Sequence, residues 1–490
     1  MTFSVAMPGA VHQDLGSHLL RADGQEDVCL AIYAPSTGAT RASALVSQIL
    51  LPEPGERAVH GNASFTGAYF VRAAKHAASL GRGAAALHSH PGGSGWQPMS
   101  GSDYDTERSY ALLVHEVTGL PLVGMTMAGD EGWSCRRWDP SGIPEHGESV
   151  RVVDRRFRVT WNDRLRPAPV ISDSQVRTVS AWGEAVQASL ARIRVLVVGV
   201  GSVGLDIALR LAATGIVQVG VMDFDSLEIV NLDRMIGATL TDVRLTRSKI
   251  EVAARLMARA ATAKHPRIAM HDLSVCEPAG LAAALDYDII ISCVDRPWAR
   301  GVLNTLAFAD LVPVLDGGIG IDTFDNGEMR NAVWRSHALV PGEPCLICNG
   351  QLGAADIQTD KLGLLDDPEY IRGLDHDIRP KRQNVAILAA SVSASILAQF
   401  VSLTVAPAGS GSPGPLRYAL STHTLEHLDI PVGPHCPFET ETAAGDGRIP
   451  LTGSHDAARE IQEQRHARQA RPIVRVRREL AGLADRLANL

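Results

Sequence analysis

Cysteine is scarce, seven in 490 residues, odd in number and mostly isolated. That excludes a disulfide framework and points to a reducing compartment, the cytoplasm. Uninterrupted apolar runs of the roughly 20 residues a bilayer span needs are lacking, so no membrane segment is expected. The N-terminus lacks a basic segment followed by an apolar core, so no signal peptide is read. Excess positive charge is lacking too. With a formal net charge of −8 there is no electrostatic reason to expect nucleic acid as a partner. No internal repeat is visible.

What is present is globular material, 45% hydrophobic and 20% charged, in a chain long enough for two or three domains. The organising stretch is Arg194 to Asp225. Val195, Leu196, Val197 and Val198 make a continuous apolar run, the pattern of a strand buried on both faces. Gly199, Gly201 and Gly204 follow as G-x-G-x-x-G, which lets the backbone turn tightly and approach phosphate oxygens at a helix N-terminus. Leu205 to Thr214 is that helix, stopped by Gly215. Val217 to Met222 is a second strand, ending at Asp223, where a carboxylate can hold a ribose hydroxyl.

The residues beyond shift the reading away from a dehydrogenase. Asp225, Asn231, Arg234 and Lys249 follow, and another apolar strand ends at Asp295. Two cations suit a triphosphate, and a carboxylate at a strand end suits Mg²⁺. In this order the motifs, over roughly Arg177 to Cys436, resemble the ThiF/MoeB/ubiquitin-activating adenylyltransferases. The resemblance implies that Asp223 binds ribose, that Asn231, Arg234 and Lys249 contact the phosphates of ATP, and that Asp295 binds Mg²⁺. It also implies a homodimer in which Arg177 reaches the partner subunit's ATP. Cys345 and Cys348 form a C-x-x-C that many relatives pair with a second one to hold a structural Zn²⁺. Here the second place reads His435-Cys436, so the set would be Cys345, Cys348 and Cys436 with or without His435. Either Cys345 or Cys348 accepts the carrier as a thioester, or the adenylate passes directly to another protein.

Residues 1–155 carry a separate signal. A short apolar run from Ala84 to Leu87 delivers His88-Ser89-His90-Pro91, followed by a glycine-rich loop and Ser100-Gly101-Ser102-Asp103. Histidines at i and i+2 of an extended segment point the same way and can share a metal. An aspartate makes a third ligand and leaves a position for water. The pattern resembles the JAMM (MPN/JAB) metalloproteases. By that resemblance His88, His90 and Asp103 bind catalytic Zn²⁺, Ser100 helps stabilise the oxyanion, and a glutamate acts as general acid/base. Glu26 is the choice, with Glu53 and Glu56 as alternatives.

The expected organisation is α/β throughout. A JAMM-type domain spans 1–155 and a proline-rich linker 156–174. A Rossmann-like, doubly wound adenylation domain with a mainly parallel sheet spans 175–440, and a basic helical segment 441–490. Helices are expected over Ser64–Ala78 with Ser64 as cap, Asp103–Val117, Gln175–Leu190 and Asn384–Leu403, the last in the core or a dimer interface. Val150–Trp161 is expected as one strand, and Gln351–Gln383 as a mobile crossover. Arg475–Arg478 is expected to be a solvated face, and Leu480, Leu483, Leu487 and Leu490 an apolar one. The functional expectation is a bifunctional enzyme. One half adenylates the C-terminal glycine of a ubiquitin-like carrier, which a conjugating enzyme then receives; the other half processes that carrier. The alternatives are sulfur-carrier activation for cofactor or cysteine biosynthesis, and a non-catalytic scaffold that binds the carrier.

Overall fold

The computed structural model describes residues 1–60, 62–373 and 383–487. Two sheets carry the architecture. The first has nine strands, in the order Arg158–Trp161, Ser149–Val153, Thr2–Pro8, Arg41–Leu50, Val28–Thr37, Gly83–His90, Leu122–Ala128, Trp133–Trp138 and Pro144–His146. Thr2–Pro8 is interior, third in the order, and lies parallel to both Ser149–Val153 and Arg41–Leu50. Gly83–His90 lies antiparallel to Val28–Thr37 and parallel to Leu122–Ala128.

The expected single strand over 150–161 is a hairpin. Ser149–Val153 turns back onto Arg158–Trp161, with Asp154 accepting from the Arg156 N–H at the turn. The first sheet therefore runs to Trp161, inside the expected linker. A cap is also corrected. Ser64 lies in the Asn62–Phe65 strand, and the Gly67–Ser79 helix is capped by Thr66, whose hydroxyl accepts from Tyr69 N. Tyr69, Ala73 and Ala77 of that helix are buried, as their helical spacing requires.

The second sheet has eight strands, in the order Arg267–His271, Gln218–Met222, Arg194–Val198, Ile289–Ser292, Val314–Thr323, Met329–Leu339, Leu416–Ala419 and Thr424–His427. The first five are mutually parallel and the last three add antiparallel. Helices cover both faces, and the apolar run shows why. Val195 and Val197 enter a core with the Ser202–Thr214, Lys249–Ala260 and Ala386–Thr404 helices, while Leu196 and Val198 enter another with Pro297–Ala309.

Ala386–Thr404 is long and apolar enough by length and composition to cross a membrane. In this fold its Val392, Ile396, Phe400 and Leu403 are buried in the core, and its polar residues also find protein partners. Ser395 Oγ lies 2.6 Å from Ser336 Oγ, and Gln399 donates to Gly414 O at 2.8 Å.

Other elements depart from expectation. Gln175–Leu190 is two helices, Val176–Trp182 and Glu184–Leu190, because Gly183 takes φ 88° and breaks the run. The expected crossover holds helices over Ala354–Lys361 and Pro368–Gly373, and its residues 374–382 lie outside the described ones. The 441–490 segment holds helices Asp456–Gln469 and Pro472–Leu487, both against the second sheet's domain. Arg478 of the expected solvated run is docked there through Glu251, and Leu480 is exposed. The side chains of Leu483 and Leu487, and Leu490 altogether, lie outside the described residues.

The two halves meet through buried polar groups. Arg41 pairs with Asp288 and donates to Leu285 O, while Asp286 accepts from the backbone of Thr40 and Arg41. Arg194 pairs with Glu148. A third segment closes the seam, with Asp446 accepting from Thr37 and Arg448 pairing with Asp310.

Candidate functional site

The glycine turn sits between the Arg194–Val198 strand and the Ser202–Thr214 helix, at the C-terminal end of a parallel sheet, where open α/β sheets bind their ligands. Its three glycines answer to different constraints. Gly199 has φ 84°, and an added Cβ would lie 2.7 Å from Cys293 O. A Cβ on Gly204 would lie 1.9 Å from Gly199 O, so the helix packs directly on the turn. At Gly201 a Cβ would meet no protein atom within 4 Å. Nothing inside the protein requires glycine there, and the open space leaves room for a ligand to approach the backbone closely. The helix has no side-chain cap, leaving its first N–H groups for an anion.

Asp223 follows the Gln218–Met222 strand. Its carboxylate accepts from Val200 N at 2.7 Å and Asp225 N at 2.8 Å, tying the glycine turn to the second strand. Lys249 opens the Lys249–Ala260 helix and donates to Asp225 Oδ2 at 2.5 Å, and its backbone N–H bonds Asp225 O at 3.0 Å. Burial works to lower the Lys249 ammonium's pKa, but the Asp223, Asp225 and Asp295 charges outweigh it and hold it above the ordinary lysine value. Burial raises the Asp223 carboxyl. Asp295 follows the Ile289–Ser292 strand and is exposed.

Asn231 and Arg234 serve their own turn. Asn231 is buried and accepts from Glu228 N at 2.9 Å; Arg234 bonds Val230 O and, at 3.1 Å, Asp233. Arg177 is exposed on the Val176–Trp182 helix. The donor set fits a nucleoside triphosphate: open space at Gly201, an uncapped helix N-terminus, the Lys249 cation and a carboxylate at Asp223. Asp225 and Asp295 supply the hard oxygens that Mg²⁺ takes.

A second cluster lies in the first sheet. His88 and His90 end the Gly83–His90 strand on the same side. Ser89, between them, points the other way and accepts from Asp27 N at 3.0 Å. Ser100 caps the Gly101–Thr118 helix in a reciprocal box with Asp103, which places Asp103 Oδ2 3.4 Å from His88 Nε2 and 3.6 Å from His90 Nε2. Burial alone would raise the Asp103 carboxyl, but the two imidazoles pull it far below the usual range, and Asp103 in turn raises His90.

Glu26, two residues before the Val28–Thr37 strand, lines the same pocket of about 370 Å³ with Ser100 and Ser102. Glu53 and Glu56 instead pair with Arg72. A larger cleft of about 1220 Å³, between the 94–101 loop and residues 158–165, also has Ser100 in its wall. Sequence reasoning passed over Thr126, which pairs in register with His88, lies 3.3 Å from its Nε2 and accepts from Arg136 at 2.8 Å. Its only local signal was a lone hydroxyl in an apolar strand.

The third cluster joins Cys345, Cys348 and Cys436. Cys345 Sγ is 3.6 Å from Cys348 Sγ and 3.5 Å from Cys436 Sγ. Thiolates on one Zn²⁺, at about 2.3 Å each, sit roughly 3.8 Å apart, so the set fits. Gly433 N–H donates to Cys348 Sγ at 3.3 Å, support that favours a thiolate. Burial pushes Cys345 up to about 12; at Cys348 burial also acts upward but the backbone N–H groups win, and its pKa falls. His435 is exposed and outside this cluster.

Comparison with known proteins agrees with the nucleotide half. Residues 172–404 match the ThiF family model. These residues form a ThiF-family domain. The molybdopterin-synthase adenylyltransferase of Escherichia coli (strain K12) is 30% identical over 172 residues, 33% of this chain and 65% of that one. The adenylyltransferase and sulfurtransferase MOCS3 of Aedes aegypti is 25% identical over 233 residues, 46% of this chain and 52% of that one. Among solved structures, E. coli MccB with ATP aligns at 18% identity and TM-score 0.42 over 54% of this chain and 74% of its own. The chain spans about half the length of the curated relatives it matches. The ThiF-family match takes in the glycine turn, Asp223, Lys249, Asp295 and two of the three clustered cysteines, and begins after the first sheet has ended.

Proposed function

We propose that this chain activates the C-terminal carboxylate of a small sulfur-carrier or ubiquitin-like protein by adenylation. The observation that carries the reading is the Lys249–Asp225 pair beside an open glycine turn within the ThiF-family match. The carrier carboxylate attacks the α-phosphorus of ATP, the bond to the β-phosphate oxygen breaks, and pyrophosphate leaves. Lys249 neutralises charge on the phosphates, Asp223 holds the ribose, and Arg234 swings from its turn to the phosphates. Mg²⁺, held by Asp295 with Asp225, would neutralise the leaving pyrophosphate. Arg177 would complete the site of a second copy in a homodimer.

The sulfur-carrier form of this reading is favoured over conjugation through a thioester. Cys345 is buried and raised, and both cysteines of the C-x-x-C lie in the three-thiol cluster, an arrangement for holding Zn²⁺ rather than for accepting an acyl group. The adenylate then passes directly to another protein.

A second activity rests on the His88, His90 and Asp103 cluster. Three ligands with Glu26 in the same pocket suit a JAMM-type Zn²⁺ peptidase acting on the carrier or its conjugates. Bound Zn²⁺ would lower the pKa of a water toward neutrality. Glu26 would take that water's proton and return it to the leaving amine, and Ser100 would donate to the oxyanion.

ATP–pyrophosphate exchange with candidate carriers, with wild-type and Lys249→Ala proteins side by side, tests the first reading. Exchange that requires both carrier and Lys249 is expected; exchange unchanged in Lys249→Ala would sink the site. Cleavage of a carrier bearing a C-terminal extension tests the second. Glu26→Gln should retain Zn²⁺ and lose cleavage, and normal cleavage would remove Glu26 from the role.

A further inference from the structure

The last two helices pack against both walls of the nucleotide site. Arg465, 2% exposed, donates to Phe224 O at 2.6 Å and pairs with Asp272. Phe224 separates Asp223 from Asp225. Its ring also meets His455 edge-on, with centroids 5.1 Å apart. The residue between the two carboxylates is thus held by its carbonyl and its ring, both from the same segment. Gln462 adds a bond to Asp272 O at 2.9 Å.

The opposite wall is held as well. Thr246 has φ 52°, in the left-handed region that a threonine keeps only when its surroundings fix it. Gln469 donates to its carbonyl at 2.7 Å. Arg478 donates to Leu245 O at 3.1 Å and pairs with Glu251, whose carboxylate accepts from Ser248 N at the start of the Lys249 helix. The Asp225–Lys249 pair spans these walls and makes contact with neither helix itself in the bonds described.

We propose that helices Asp456–Gln469 and Pro472–Leu487 are a clamp on the nucleotide site, with Arg465 and Gln469 as its positioning residues. This rests on the nucleotide reading of the glycine turn. Docked, the helices fix the spacing of Asp223, Asp225 and Lys249. Undocked, they release Phe224 and the strained turn at Thr246. A nucleotide that binds the fixed arrangement better must stabilise docking by the same factor that docking improves its binding.

The test uses the full-length protein, with equilibrium ATP binding and hydrogen exchange over 456–487 measured on the same samples. Saturating ATP should slow exchange in that segment at least about threefold. Arg465→Ala should weaken ATP binding at least about tenfold and raise KM for ATP, with kcat at saturating ATP within about threefold of wild type. Arg465→Lys, which keeps the positive charge and a donor, should recover part of the affinity. Unchanged exchange over 194–198 and 289–292, strands of the second sheet, shows that the variants are folded; if Arg465→Ala loses that pattern, the wild-type and Arg465→Lys exchange data decide alone. ATP binding with no change in exchange over 456–487 would overturn the clamp and leave the nucleotide site standing. No ATP binding by wild type would overturn the site, and the clamp with it.

Discussion

Arg41 on the first sheet and Asp288 at the foot of the second form an ion pair with side chains 1% and 0% exposed. Asp288 also accepts from Arg194 N at 2.9 Å. Burial would raise its pKa, but the facing guanidinium groups, Arg41 first, hold it well below the usual carboxylate range. The pair is the polar centre of the seam between the halves. Breaking one side of a buried pair strands the other charge. Arg41→Met should therefore cost about 3–5 kcal/mol in urea unfolding. Adding Asp288→Asn should recover part of that loss. A cost below about 1 kcal/mol for Arg41→Met would show that the seam does not depend on the pair.

Asp310 gives the seam a pH dependence. Burial pushes its carboxyl up to about 7, against Arg448, Ser36 and Arg151, with Asp446 adding to the rise. Its Oδ1 accepts from Ser36 and Arg448, while its Oδ2 is buried without a partner. The folded state binds this proton more tightly than the unfolded chain, whose value is about 4. Stability from this group is therefore full below about pH 4 and declines as pH rises to about 7, by up to about 4 kcal/mol. Asp310→Asn keeps the acceptor and removes the titration. Its thermal midpoint relative to wild type should climb between pH 4.5 and 8. A constant difference across that range would contradict the assignment.

Gly201 and Gly204 should separate binding from stability. Gly201→Ala meets no protein atom, so the midpoint should stay within about 0.5 kcal/mol of wild type. Its methyl group occupies the space for phosphate, so KM for ATP should rise at least about tenfold. Gly204→Ala forces a methyl onto Gly199 O, and several kcal/mol of destabilisation is expected. Equal effects of the two substitutions on stability would refute the distinction.

The metal clusters should be independent. Metal analysis of His88→Ala should show loss of one bound Zn²⁺ with the other retained, and Cys348→Ala the reverse. Only Cys348→Ala should also lower the thermal midpoint of the ThiF-family domain, because its ligands join 345–348 to 433–436. Loss of both ions in either variant would mean that the sites are coupled.

Much of the nucleotide site was legible because its signals are local. Val195 to Val198 is apolar at every position, and the glycines and Asp223 follow at fixed spacing. His88, His90 and Asp103 were legible for a similar reason: a strand alternates its faces, and a Ser-x-x-Asp box fixes a helix start. The hairpin at 154–157 was hidden because Phe157, Val159 and Trp161 resume the parity of Val153 across it, although Asp154, Arg155 and Arg156 are polar in succession. Ser64 fits a cap by sequence because it precedes the Phe65, Tyr69, Ala73 and Ala77 periodicity, and only pairing with Arg57–His60 makes it a strand residue. Arg41, Asp288 and Arg465 had no local signature at all. Each is an ordinary charged residue until a segment far along the chain removes water from it.

Thr2–Pro8 is an interior strand of its sheet, yet one of its two neighbours, Ser149–Val153, is about 140 residues further along the chain. At about 5–20 residues per second, a ribosome takes roughly 7–30 s to supply it. During that interval the strand Thr-Phe-Ser-Val-Ala-Met-Pro can pair with Arg41–Leu50 on one side only. Its other side is an open, apolar edge of the kind that recruits strands from neighbouring chains. The nascent first half therefore needs shielding while translation continues, and slowing synthesis between codons 60 and 150 should increase its aggregation.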